Sequence, residues 1–177
     1  MNTKTSRSSF ALFILILVIM FSCSTIPKGA EPVQHFNKDK YLGKWYEIAR
    51  MDFRFEKNLI NTTAEYSLRA DGKIKVVNRG FSTTKNKNKI ATGKAKFRSD
   101  SNVGALKVSF FGPFYAAYNV IAIDENYQYA LVAGKNLRYL WLLSREKTMP
   151  DNVKKDYLQK AQAIGYNTAD LVWVKQN

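Results

Sequence analysis

The 177 residues are enough for one domain with a substantial core. A composition of 46% apolar and 14% aromatic residues with only 9 Gly and 4 Pro excludes collagen-like, low-complexity and wholly disordered chains. The formal charge of +14 points to an anionic partner, whether nucleic acid, an acidic membrane surface or acidic ligands. One Cys and one His exclude an internal disulfide, a CxxC site and a multi-His metal site, so no metal or other cofactor is expected.

At the N-terminus Lys4 and Arg7 precede an unbroken apolar run from Phe10 to Phe21, followed by Ser22 and the lone Cys23. That order is a secretory signal over 1–22. The run holds 12 residues, and a membrane-spanning helix needs about 20. Met20-Phe21-Ser22-Cys23 resembles a bacterial lipoprotein box, in which the Cys thiol receives diacylglycerol and becomes the first mature residue. By the same resemblance Ser24, standing where Asp would hold a lipoprotein in the inner membrane, implies delivery to the outer membrane, with the domain on the periplasmic side. Removing 1–22 takes two cations and no acids, which leaves the mature chain at +12. Residues 23–35 read as a lipid-anchored polar tether containing Pro27, Gly29 and Pro32. A dozen such residues, extended at about 3.3 Å each, would lift a domain roughly 40 Å from a bilayer.

From Tyr41 the pattern turns to period two, with turn residues between short runs. Strands are expected over 43–51, 62–69, 73–79, 90–97, 105–111, 115–123, 127–133 and 138–144, and Ala70-Asp71-Gly72 marks a hairpin. After Ser144 the period becomes helical, since Val153, Tyr157, Leu158, Ala161 and Ile164 share a face. Thr148 to Asp151 is a candidate capping box, Pro150 fits a first turn and Gly165 a C-terminal stop. Leu171, Trp173 and Val174 read as a short last strand. The fold expected is an all-β, eight-stranded antiparallel up-and-down barrel over 36–177, with one helix packed outside.

Three segments carry a family resemblance. Gly43-Lys44-Trp45 with its flanks from Phe36 to Arg50 resembles the first lipocalin motif, Asp124-Glu125-Asn126-Tyr127-Gln128-Tyr129-Ala130 the second, and Leu140 to Arg145 the third. Phe110 to Tyr115 and Tyr118 to Ala122, together with the lipoprotein box, are similar to the bacterial outer-membrane branch of that family. The resemblance implies that Trp45 plugs the closed end of the barrel and that Arg145 packs across its indole. It also implies binding of lysophospholipids, a homodimer and a role in membrane maintenance.

The lining expected from alternation starts with Glu47 and Ala49, then Ala64, Tyr66 and Leu68, then Ile74 and Val76. It continues with Leu106, Val108 and Phe110, with Tyr115, Ala117, Asn119 and Ile121, and with Tyr139, Trp141 and Leu143. A one-residue slip would reverse any of these lists. By family topology the loops of the open end carry Arg54 and Lys57, then Lys85, Lys87 and Lys89, then Phe114, then Lys135 and Arg138. A basic rim around an apolar bore suits a fatty acid or lysophospholipid, with the membrane itself as second partner through Cys23.

Rival classes fare worse on the residues. Catalysis lacks a nucleophile, because Cys23 is taken by lipid and Glu47 is the one internal acid without an evident partner. His35 precedes the first strand, so no His remains for internal haem ligation. Nucleic-acid binding rests on charge alone and is opposed by export. A siderophore or other small hydrophobic ligand, or a structural surface role, stays open as the alternative.

Overall fold

A computed structural model describes residues 25–177; the leader and Cys23 lie outside the described residues. Nine strands are formed: β1 (Gly43–Met51), β2 (Leu59–Leu68), β3 (Ile74–Ser82), β4 (Lys87–Phe97), β5 (Ala105–Phe111), β6 (Phe114–Ile123), β7 (Tyr129–Ala133), β8 (Leu140–Ser144) and β9 (Leu171–Trp173). Each of the first eight pairs antiparallel with the next, and β1 pairs with both β2 and β8, which closes the barrel. The bond of β1 to β2 covers only Gly43 to Tyr46. Where the two strands part, β9 occupies the vacated edge of β1 through Ala49↔Trp173 and Met51↔Leu171. Gln176 Nε2 bridges the same gap by donating to the carbonyls of Glu47 and Thr62.

Two apolar clusters divide the wall. Trp45, Tyr66, Val76, Leu106, Val120, Val132 and Leu143 fill the inside. Ile48, Leu131, Ala133, Leu140 and Leu142 lie outside, under Tyr157 and Ala161 of helix α2 (Asp151–Ile164). Strands β7 and β8 are therefore buried on both faces, which explains why Leu140 to Leu143 is a continuous apolar run rather than an alternating one. The hydroxyls of Tyr157 and Tyr166 fasten the helix by donating to the carbonyls of Tyr129 and Tyr139. The capping box expected at Thr148 does not form. Pro150 is the N-cap, without a side-chain cap, and the Thr148 carbonyl accepts from Ser144 Oγ instead. Gly165 ends the helix at φ +106°, a left-handed conformation open to glycine at little cost.

The tether expected before the barrel is, over its described part, fastened to it. Val33 donates its N–H to Val120 and accepts from Gly104, both at 2.9 Å, and Phe36 N–H reaches Asn102 at 2.7 Å. Further back, Asn119 Nδ2 donates to the Thr25 carbonyl at 2.9 Å, and Arg98 donates to Thr25 Oγ1 and to Asn119 Oδ1. Pro27 and Ala30 are buried. Pairing with sheet backbone satisfies groups that a solvated tether would leave to water. Residues 25–177 by themselves close the nine-stranded sheet and hold both apolar clusters.

Candidate functional site

The closed end is built around Trp45, which is fully buried and donates its indole N–H to the Tyr41 carbonyl at 2.9 Å. The Arg145 guanidinium lies 3.8 Å from the indole centroid. It donates to four carbonyls, those of Tyr127, Lys44, Lys40 and Leu42, at 2.7–3.1 Å. Above the indole the hydroxyls of Tyr41 and Tyr66 both meet that of Tyr118, at 2.6 and 2.8 Å. Burial raises the pKa of all three phenols, so they stay neutral. Of these rings Tyr66 and Tyr118 border a cavity of about 1680 Å³ that also reaches Arg54, Lys85 and Phe114 at the opposite end.

Glu47, Ala64, Tyr66, Val76, Val108, Phe110, Tyr139, Trp141 and Leu143 border this cavity. Of the other expected lining residues, Tyr115 and Ala117 also border it and the rest are placed elsewhere. Leu68 is 50% exposed, beyond the buried part of β2 at the Asp71 hairpin. Ile74 and Leu106 point inward but belong to the packed core, outside the cavity lining. On β6 the register is one residue off the expectation: Tyr118 and Val120 join the inner cluster, and Leu106 pairs with Tyr118. Tyr115 consequently touches the cavity edge while its ring lies under the ammonium groups of Lys96 and Lys107, at 5.3 and 5.6 Å. Asn119 is buried in the wall, where it holds Thr25, Ala133 and Gly134, whereas Ala117 borders the cavity as expected. A register shift between Val120 and Ala122 turns Ile121 and Ala122 to the outer cluster. Another, between Glu47 and Ala49, does the same to Ala49 and swings Arg50 inward.

Arg50 is the residue that period-two patterning misses. It is 1% exposed and donates to Glu47 Oε1 at 2.7 Å, to the Glu56 carbonyl at 2.6 Å and to the Leu59 carbonyl at 3.3 Å. Glu56 follows from the β1–β2 loop and accepts the Trp141 indole N–H at 3.0 Å. Burial, followed by the nearby Glu47 charge, pushes the Glu56 carboxyl up to about 8. Burial also raises Glu47, against the pull of Arg50. Glu56 is thus protonated at neutral pH, and inside the wall the Arg50 guanidinium is paired with Glu47 at 2.7 Å. A bulge and a loop carboxyl leave no periodic trace; only the opposite charge of Glu47 three residues earlier on the same strand could have flagged Arg50.

At the open end Arg54, Lys85, Lys87, Lys89, Phe114, Lys135 and Arg138 border the cavity mouth, whereas Lys57 is exposed and does not. Lys87 and Lys89 are not in a loop: they begin β4, opposite Ser82 and Gly80. Phe53 packs edge-on against Tyr139 and Trp141 inside the mouth, and Phe55 approaches Phe111 at 6.1 Å between centroids. No cluster of His, Cys, Asp and Glu suited to a metal is found among the described residues.

The Lipocalin-like domain family matches residues 36–176. The outer membrane lipoprotein Blc of Citrobacter freundii is 48% identical over 166 residues, 94% of either chain, and that of Escherichia coli strain K12 is 47% identical over 160 residues, 90% of either chain. Insecticyanin from the tobacco hornworm Manduca sexta shares the fold, with a TM-score of 0.69 at 20% identity over 86% of this chain and 87% of its own. The protein is therefore a binder of hydrophobic ligands rather than an enzyme, and its place is the outer membrane, held by lipid. The chain belongs to the lipocalin family.

Proposed function

We propose that the protein stores or carries single-chain amphiphiles, fatty acids or lysophospholipids, for maintenance of the membrane to which acylated Cys23 holds it. The domain faces the periplasm, and a homodimer, implied by the resemblance, belongs to the same proposal. One observation carries it: the bore is apolar and its buried guanidinium, Arg50, is bonded to Glu47, while cations without carboxylate partners stand at the mouth. An acyl chain can enter without meeting an uncompensated charge, and an anionic head group finds Lys85, Lys135 and Arg138 only at the rim. A ferric siderophore would need cations free inside, and Arg50 is bonded to Glu47 and two carbonyls.

Energetics favour one chain. At about 0.8 kcal/mol per methylene, withdrawing a sixteen-carbon chain from a bilayer forfeits roughly 12 kcal/mol unless the barrel replaces those contacts. A second chain doubles the requirement. Titration of residues 25–177 with a lysophospholipid, a fatty acid and a diacyl lipid, followed by Trp141 fluorescence, tests this directly. Saturable binding of both single-chain ligands with a much weaker diacyl lipid is expected. Equal affinity for one and two chains, or saturation only by a ferric siderophore, would overturn it.

A further inference from the structure

Seven large apolar side chains stand exposed among the described residues, and five of them gather at the mouth: Phe55 (55%), Ile90 (67%), Phe111 (68%), Phe114 (78%) and Leu137 (40%). They come from the β1–β2 and β7–β8 loops, from the start of β4 and from the facing ends of β5 and β6, which the fold brings together at one end. Gly112, at φ +53°, makes the tight turn that presents Phe111 and Phe114 side by side. Cations surround this crown: Arg54 lies over the Phe55 ring at 4.6 Å, and Lys85, Lys135 and Arg138 follow around the rim. Among the carboxylates of the same loops, Glu56 is buried and protonated at neutral pH, and Asp52 is exposed. The turns of the closed end are mixed instead, with Asp71 bonded to Arg69 and Lys73, and with Asp100, Asp124 and Glu125 beside them.

We propose that this crown is a membrane-docking surface: the mouth lies against an anionic bilayer, with its phenyl rings among the acyl chains and its cations at the head groups. Aromatic tips encircled by Lys and Arg are the composition that interfacial binding requires. The fastened N-terminal segment limits the alternatives. Thr25 is fixed through Asn119, whose amide also donates to Gly134 at the root of the β7–β8 mouth loop. Only Ser24 lies between Thr25 and Cys23, so the chain adds at most about 7 Å of reach rather than the roughly 40 Å of a free tether. On the lipid-anchor reading of Cys23 given above, the barrel sits on the membrane it is tied to, and a lipid can pass from bilayer to bore without crossing water.

The test uses residues 25–177, which lack Cys23, so docking is measured apart from anchoring. Vesicles of phosphatidylethanolamine with phosphatidylglycerol should co-sediment the domain, and pure phosphatidylcholine vesicles should do so far less. Phe55→Ser with Phe111→Ser and Phe114→Ser should lower the partition by about tenfold or more, and Leu68→Ser, at the closed end, should leave it unchanged. Because a serine triple variant could misfold, depth is read independently in single tryptophan replacements. Chain-brominated lipids should quench the added indole of Phe114→Trp and not that of Leu68→Trp. Unchanged partition of the triple variant, equal binding to neutral vesicles, or quenching at both ends or neither would overturn the proposal. So would a crown that holds two copies of the chain together, seen as a dimer lost in the triple variant while vesicle binding persists. Failure of the lysophospholipid titration alone would overturn the ligand reading and leave docking standing.

Discussion

The two ends of the barrel are built on opposite principles. At the closed end the polar groups of Trp45 and Arg145 are paired with backbone carbonyls, and three tyrosine hydroxyls satisfy one another beneath the cavity. At the open end the phenyl rings face solvent and the cations stand mostly without carboxylate partners. Such satisfied, buried networks fix one conformation, whereas loops with few buried contacts open readily and carry the binding. Stability and ligand exchange can thus be changed separately, by substitutions at different ends of one cavity.

The largest expected effect lies at the floor. Trp45→Ala removes a fully buried indole that packs against Tyr41 at 5.0 Å and beneath the Arg145 guanidinium. A loss of about 3–5 kcal/mol in denaturant unfolding is expected, as for other large aromatic truncations in cores. A loss below 1 kcal/mol would break the contrast between the ends.

Next comes Glu56, between floor and rim. Its carboxyl keeps its proton in the folded state up to about pH 8, whereas the unfolded chain releases it near its ordinary value of 4.5. Between those values the folded state binds more protons than the unfolded, so stability falls as pH rises from 4.5 to 8 and levels off above. A fall on the order of 2–4 kcal/mol is expected, below the full conversion of the shift because the side chain is 15% exposed. Glu56→Gln should flatten that part of the profile in thermal melts across pH 5 to 9. An unaltered slope would remove Glu56 from the wall cluster.

Arg145→Ala should cost about 1–3 kcal/mol, through lost contact over the indole and four carbonyls left without a donor. Ligand affinity should change less than stability. Melts and titrations on one preparation separate the two, and abolished binding at unchanged stability would move Arg145 into the ligand site.

Legibility in the sequence follows the same division. The strands of the barrel, the outer helix and the last strand could be drawn from alternation and turn residues, because two faces of unequal solvent exposure impose a period on the sequence. Bulges obey no such rule. The shifts at Glu47/Ala49 and Val120/Ala122 exchanged inside and outside for Ala49, Arg50 and Ile121. On β6 the run Tyr115-Ala116-Ala117-Tyr118 offers the same residue types to either face, so alternation alone could not choose Tyr118 over Tyr115. The N-terminal segment misled for another reason: its pairing with Val120, Gly104 and Asn119 uses main-chain groups and distant partners that composition does not record. Pro27, Gly29 and Pro32 look alike in a free linker and in a strap.

The smallest effect expected is at the rim. Lys85→Gln, Lys87→Gln and Lys89→Gln together remove three positive charges from one side of the mouth, and all three side chains border the cavity. None has a carboxylate partner among the described ion pairs, so stability should stay within about 0.5 kcal/mol of the parent. Affinity for a fatty acid should fall by severalfold, since exposed charges act through screened Coulomb attraction over about 8–10 Å. A zwitterionic lysophospholipid of equal chain length should be affected less, because its head group carries no net charge for the rim to attract. Raising salt should weaken fatty-acid binding to the parent and have little further effect on the triple variant, which identifies the charges responsible. Shortening the acyl chain by four methylenes should outweigh all of this, at about 0.8 kcal/mol for each. If removing the three lysines cost more affinity than removing those methylenes, the head group would be bound as a buried ion, and the mouth would share the construction of the floor.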